Sequence, residues 1–319
     1  MSAPVHNLIR SATQLDEPFN IIWFSCDGTF EHLLFEHTQH NYYCIPDKHN
    51  PWHLEMWPPS SNVTILNNNV IPAHLEYDFI VCNNKLVPNV MEAATHLSNT
   101  LHIPLLMIEH TLPTPNLKNE DILILNDQKT DMVVATSVHV NNGWGDAKDI
   151  IPYGFAIEPP LRLMKNDKAV IVGQAGNNTQ QLRQIIEQSP IPITLIGDNP
   201  GLSTNCSQEA LFNVFTNSKY IINISAGFTT PITMLMAMTF GCIPIANRNV
   251  FTEEIVKETG YLFDNINDLF SCLQKCMEDK PKYTAEDVQN FVINKFPQHA
   301  FLNSWNDVFT QMNRKVYTR

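Results

Sequence analysis

Short apolar runs rich in β-branched and aromatic residues alternate with stretches of helical periodicity along most of the chain. That alternation is what parallel sheets covered by helices require. Residues 19–26 (FNIIWFSC) read as a first strand that ends in the turn Asp27-Gly28-Thr29, after which Phe30, Leu33 and Leu34 share one helical face. YDFIVCN from Tyr77 reads as a buried strand followed by a helix through Val90 to Leu101, and IPLLMIEHT from Ile103 as a strand carrying Glu109, His110 and Thr111 at its carboxyl end. DMVVATS from Asp131 is a later strand. A second series follows: KAVIVGQAG, a helix over residues 179–188, ITLIGDN, a helix over 208–217, YIINIS, TTPITMLMAMTFG, CIPIAN, a helix over 252–258, and GYLF.

Between the two series, DIIPYGFAIEPPLRLMKNDK from Asp149 holds three prolines and one glycine, which marks a domain boundary. At 319 residues the chain has the length of two domains at about 150 residues each. We therefore expect domains at 1–155 and 156–295, followed by a C-terminal helix at 296–319. Lys+Arg 20 against Asp+Glu 32 leaves a net charge of −12, which repels phosphate backbones and gives no strong nucleic-acid signal. No run reaches the ~18 apolar residues of a membrane span, and MSAPVHNLIRSATQLDEPFN lacks an apolar signal core, so the expectation is a cytoplasmic protein. The seven scattered cysteines read as reduced and mostly buried, and Cys272 and Cys276, four apart on a helix, as a core face rather than a metal site. Glycine is scarce, at 11, and ten of these lie from Gly143 to Gly260, so the first domain before them keeps only Gly28.

Three strand-end loops of the second series would line the carboxyl edge of one sheet, where ligands of such folds bind. They contain Gly173-Gln174-Ala175-Gly176, Gly197-Asp198-Asn199-Pro200-Gly201 and Ser225-Ala226-Gly227. After the last of these, Thr229-Thr230-Pro231 opens a helix with Thr230 as expected cap, Pro231 in its first turn and Gly241 as its stop, an arrangement able to hold an anion. Neither GxGxxG nor GxxxxGK[ST] occurs, so nicotinamide and P-loop readings lack specific support. HEXXH is absent too, and no metal is expected; the cluster His32, His37, His40, His49 and His53 reads as solvated or hydrogen-bonded. His110 stands apart because it ends an apolar strand.

Taken together these segments resemble the GT-B glycosyltransferases of the large retaining nucleotide-sugar family (family 4-like, group 1). Met236-Ala237-Met238-Thr239-Phe240-Gly241-Cys242-Ile243-Pro244-Ile245 is similar to that family's E-A-M-A-x-G-C-x-P-[IV] run. Glu254-Ile255-Val256 with Thr259-Gly260-Tyr261-Leu262, the interdomain Ile151-Pro152-Tyr153-Gly154, the strand-end Glu109-His110-Thr111 and the tail FPQHAFLNSWNDVF match further blocks in the right order. The resemblance implies two Rossmann-like domains facing each other across a cleft, with the C-terminal helix crossing back to the first. It implies a metal-independent, retaining transferase that moves a sugar from a nucleotide-sugar donor, such as a UDP- or GDP-sugar, to a glycan or other hydroxyl acceptor. No further cofactor is implied.

On this resemblance the donor side takes in Gly173, Gln174, Gly197, Ser225, Thr229, Thr230 and Met236, and the acceptor side Asp27, Gly28 and Thr29. His110 is the catalytic candidate that would contact the transferred sugar. The family's E-x7-E pair falls on Phe228 and Met236, and its diphosphate-binding arginine on Gln174, so Arg183 and Arg248 become the candidate diphosphate cations. Two alternatives stay open: a nucleotide- or sugar-binding protein of the same fold without catalysis, and an enzyme resembling the sugar-nucleotide epimerases.

Overall fold

The central strands of the first series bury residues on both of their faces, because helices cover both sides of a parallel sheet. The computed structural model describes residues 17–46, 54–66, 70–83, 85–127, 130–156, 165–172, 179–197, 207–225, 227–278 and 282–315. These fall into two compact units, one comprising the described residues of Met1–Leu54, Pro59–Gly154 and His299–Arg319, the other those of Glu55–Pro58 and Phe155–Gln298.

In the first unit, strands β1 (Asn20–Phe24), β2 (Asn41–Ile45), β3 (Val63–Ile65), β4 (Phe79–Asn83), β5 (Leu105–Glu109), β6 (Met132–Ala135) and β7 (Asp149–Ile150) form one parallel sheet of order β3-β2-β1-β4-β5-β6-β7. Alternation along β1 sends Ile22 and Phe24 into a cluster with Ile80, Cys82, Leu105, Met107 and, from helix α2 (Pro88–Leu101), Met91 and Ala94. Trp23, on the other face, meets Phe35 edge-on at 4.9 Å, and Phe35 stacks on Tyr42 at 3.8 Å. Helix α1 (Gly28–Phe35) contributes Phe30 and Phe35 to this aromatic layer. The shorter helices α3 (Asn119–Asn126) and α4 (Val138–Trp144) precede and follow β6.

The second unit holds β8 (Asn166–Val172), β9 (Ile193–Ile196), β10 (Ser218–Asn223), β11 (Ile243–Asn247) and β12 (Tyr261–Phe263), all parallel, in the order β12-β11-β10-β8-β9. Its helices are α5 (Thr179–Gln188), α6 (Gln208–Asn217), α7 (Ile232–Thr239), α8 (Val250–Val256), α9 (Ile266–Glu278) and α10 (Ala285–Lys295). The last helix, α11 (Gln298–Arg314), returns to the first unit. Its Phe301, Trp305, Val308, Phe309 and Met312 are buried, the spacing of one helical face, and Trp305 and Phe309 lie 5.8 Å from Phe30 and 5.5 Å from Phe79.

Several local expectations need correction. Helix α7 starts at Ile232 with Pro231 at the cap position and no side-chain cap, so Thr230 lies outside the helix rather than capping it. Its end is as expected: Gly241 adopts φ 78°, Gly241 N–H donates to Met238 O and Cys242 N–H to Ala237 O, the pair of bonds that closes a Schellman motif. Helix α8 begins two residues before the expected 252 because the Asn249 carboxamide accepts the Phe251 and Thr252 amides. The proline-rich boundary contains the edge strand β7, and residues 55–58 join the second unit, where Glu55 O accepts Gln208 N–H and Trp57 lies 6.3 Å from Phe212. The six described cysteines are free thiols.

Gly260 marks where backbone must approach backbone: a Cβ there would lie 2.0 Å from Pro244 O on the neighbouring β11. A Cβ on Gly145 meets nothing within 4 Å, though its φ is +80°. In urea unfolding, Gly260→Ala is expected to lose roughly 2–4 kcal/mol through overpacking, and Gly145→Ala only about 1 kcal/mol of backbone strain. Equal losses would contradict the close approach.

Candidate functional site

In each sheet the strand order reverses once, between β1 and β4 in the first and between β8 and β10 in the second. Loops leaving the carboxyl ends of those strands diverge there and leave a crevice, the usual place for a ligand.

At the first reversal, β1 runs into Ser25–Thr29 and β4 into Asn83. The Asn83 amide group donates to Phe24 O at 2.6 Å, tying the two strand ends together. Its carbonyl oxygen therefore faces His110 Nε2, 2.9 Å away, and can only accept, so that nitrogen carries the proton. His110 Nδ1 is then the acceptor for the Tyr153 hydroxyl at 3.0 Å. Phe30 packs edge-on to the imidazole at 4.7 Å. Burial pushes the His110 pKa down to about 3, which keeps the ring neutral. Both ring nitrogens are thus spent inside the protein and only 6% of the residue is exposed, so in this arrangement the imidazole has neither donor nor acceptor left for a sugar. In this arrangement His110, the residue expected to contact the sugar, bonds Asn83 and Tyr153.

Asp27 caps α1, accepting Thr29 N–H at 2.9 Å and Phe30 N–H at 3.3 Å, and burial raises its carboxyl above the usual range. Gly28 starts the helix, and Thr29 is buried. Beside His110, the Glu109 carboxylate accepts Lys85 N–H at 3.2 Å, and burial pushes its pKa up to about 8. Lys85 is itself only 1% exposed; its ammonium donates to Asn126 Oδ1 at 2.9 Å and to Asp146, and lies 5.2 Å from the Trp144 ring centre.

At the second reversal, Gly173 and Gln174 lie outside the described residues, as do residues 198–201 of the Gly197 loop; Gly197 itself has φ 130°. After β10, Ser225 is exposed, its N–H bonded to Asn223 Oδ1 at 2.8 Å. Gly227, at φ 82°, presses against Asn249, whose Cβ would be 2.5 Å from a Cβ there. Thr229 is exposed, whereas Thr230 is 7% exposed with its hydroxyl buried and unbonded, immediately ahead of α7.

Two donor-side candidates have their side chains engaged within the protein. Met236 is buried in α7, where every residue but Thr233 faces protein, so its side chain offers nothing to a ribose. Arg248 is exposed but held by Asp264 at 2.8 Å and Glu253 at 3.0 Å, so it is not a free diphosphate cation. Arg183 lies on the exposed side of α5.

Asn83, Tyr153, Lys85 and Glu31 were not singled out from sequence. Asn83 ends its apolar strand as His110 ends the next, and that parallel was a usable signal. Glu31 sits four residues after Asp27 on an otherwise apolar helix face.

The His110 geometry gives a sign to acid stability. Below pH 6.5 the unfolded imidazole binds a proton that the folded one refuses until about pH 3, so stability falls as pH drops through that window, by up to about 1.4 kcal/mol per pH unit. Glu31 and Glu109, with raised carboxyls, act in the opposite sense. Comparison with His110→Gln cancels them. That variant is expected to be less stable at pH 7.5 by roughly 1–3 kcal/mol and to lose stability less steeply between pH 6.5 and 4. Parallel stability–pH curves would contradict a neutral buried imidazole.

No family model matches the sequence, and no curated protein matches it. Solved structures do. A sucrose-phosphate synthase from Thermosynechococcus elongatus superposes with TM-score 0.67 at 14% identity, covering 92% of this chain and 99% of that one. WaaG, a glycosyltransferase involved in lipopolysaccharide biosynthesis, gives 0.62 at 8% identity over 91% and 99%. An enzyme from Listeria monocytogenes described as a UDP-N-acetylglucosamine 2-epimerase gives 0.55 at 11% over 90% and 94%. At these identities the likeness is one of fold, and the fold is that of the GT-B glycosyltransferases: two Rossmann-like domains, with the last helix returned to the first.

Proposed function

We propose that this chain is a glycosyltransferase that takes a sugar from a nucleotide-sugar donor held by the second unit and passes it to a hydroxyl acceptor held by the first. The observation that carries the reading is the start of α7. The start of α7, which has no side-chain cap, and the buried, unbonded Thr230 hydroxyl lie together beside the strand-order reversal. An unmet buried hydroxyl costs about 1–3 kcal/mol, which a phosphate oxygen accepting its proton would recover. The helix end adds partial positive charge without a side-chain cation or a metal.

In this reading the C1–oxygen bond to the leaving phosphate breaks as the acceptor oxygen bonds to C1, and the acceptor's proton passes to the departing phosphate. His110, neutral and fully hydrogen-bonded, is not the base; it keeps Asn83, Tyr153 and the β1 strand end in register on the acceptor side. Phe228, 41% exposed, and buried Met236 stand where the family resemblance calls for acids, and they favour a second reading in which nucleotide sugar binds without turnover.

A panel of UDP-, GDP- and ADP-sugars, followed by thermal shift and by donor hydrolysis, separates these readings. Binding with turnover supports the transferase, binding alone supports the second reading, and no binding at millimolar concentration removes both. Thr230→Val supplies the local test: it is expected to keep or raise the thermal midpoint while weakening the bound nucleotide sugar about tenfold or more. Unchanged affinity would remove Thr230 from the donor site.

A further inference from the structure

Glu31 is a carboxylate with no water contact, 0% exposed, on the inner face of α1. One of its oxygens, Oε1, accepts two hydrogen bonds that converge from different elements. Trp23 Nε1–H donates from β1 at 2.9 Å, and the Cys26 backbone N–H donates from the loop after it at 2.8 Å. The other oxygen, Oε2, is buried with no hydrogen-bond partner, as is the Ser25 hydroxyl in the same loop. A buried carboxylate with half its acceptors unmet costs energy that an apolar residue would not, so the two bonds it makes must define this loop's geometry.

We propose that Glu31 is a positioning residue that clamps the Ser25–Thr29 turn to β1, holding it firmly when ionised and more loosely when protonated. Its place in acceptor binding rests on the function proposed above; the clamp does not. Ionised, the carboxylate makes charge-assisted bonds to Cys26 and Trp23, roughly twice as strong as neutral ones. Protonated, it loses that charge, and its proton has the Ser25 hydroxyl as the neighbouring acceptor.

The groups facing Glu31 are few. Asp27, at the cap of the same helix, and Cys44, from β2, interact with it electrostatically; Ser25, Cys26 and Trp23 complete the shell. Burial, opposed by the bonds from Cys26 and Trp23 and reinforced by Asp27, pushes the carboxyl up to about 7. The switch therefore falls in the neutral range. His32, the next residue, pairs with Glu36 at 3.0 Å, so its signals must be told apart.

The test is a pH series of 15N-TROSY spectra on the full chain from pH 5.5 to 8.5, with the Trp23 indole signal assigned through Trp23→Phe. The Trp23 indole and the Cys26, Gly28 and Thr29 amides are expected to shift together with one midpoint near 7. In Glu31→Gln, which keeps an acceptor for both donors but does not titrate, the Trp23 and Cys26 shifts vanish; a residual shift at Thr29 reports Asp27, which accepts its amide. A flat Trp23 signal in the wild type overturns the proposal, whether or not the variant folds. So does a Trp23 titration that the Cys26–Thr29 amides do not share, or one that persists in Glu31→Gln. No nucleotide sugar enters the measurement, so its failure leaves the transferase reading standing, and a failed donor panel leaves the clamp standing.

Discussion

The carboxamide of Asn83 joins three strand ends of the first unit. Its amide group donates to the last carbonyl of β1, and its carbonyl accepts from the imidazole that follows β5. Because β1 and β4 are the neighbours at which strand order reverses, no other backbone ladder can tie the loops beyond them together. A side chain with a donor and an acceptor on one rigid plane is suited to that task. Asp or Leu at the position would keep one bond at most. The His110 tautomer and the Tyr153 orientation follow from which way this amide points, while burial keeps the imidazole neutral.

Much of the fold was legible because a parallel sheet leaves a coarse imprint. Its strands are continuous apolar runs, and its helices show one apolar face. Helices α5 and α6 and the strand-end position of His110 were read directly, and the tail helix is visible in the spacing of Phe301, Trp305 and Met312. The strand NYYCI was missed because it mixes polar and aromatic residues, and it stands as a strand because β1 and β3 pair with it on either side, Trp23 with Cys44 and Tyr43 with Thr64. The cap of α7 was misread because Thr-Thr-Pro fits two registers, and burial of the whole helix, not the cap, decides where it starts.

The site was less legible, for a physical reason. A sequence motif says which residue type stands at a strand end but not which of its atoms are already used. His110 is where a functional side chain belongs, yet its bonds to Asn83 and Tyr153 come from residues 27 and 43 positions away. Arg248 carries the right charge for a diphosphate, but Glu253 and Asp264 neutralise it. Lys85 gave no signal at all: its partners Asn126 and Asp146 lie far along the chain, and a lysine at 1% exposure is exceptional enough that no pattern would have placed it there.

The two units handle buried polarity in opposite ways. The first concentrates ionisable groups behind its carboxyl edge: Asp27, Glu31, Lys85, Glu109 and His110 are all at least partly buried, and four of them have pKa values moved toward the neutral form. Such groups hold loops through bonds whose strength depends on protonation. Among the described residues, the edge of the second unit carries the amides and hydroxyls of Asn223, Ser225, Asn247, Asn249 and Thr230 beside the exposed pair Arg248–Asp264. A site built that way stabilises an anion by orienting dipoles, whose contribution is set by geometry and not by titration. If the units divide donor and acceptor as proposed, the pH response of the protein belongs to the side that receives the sugar.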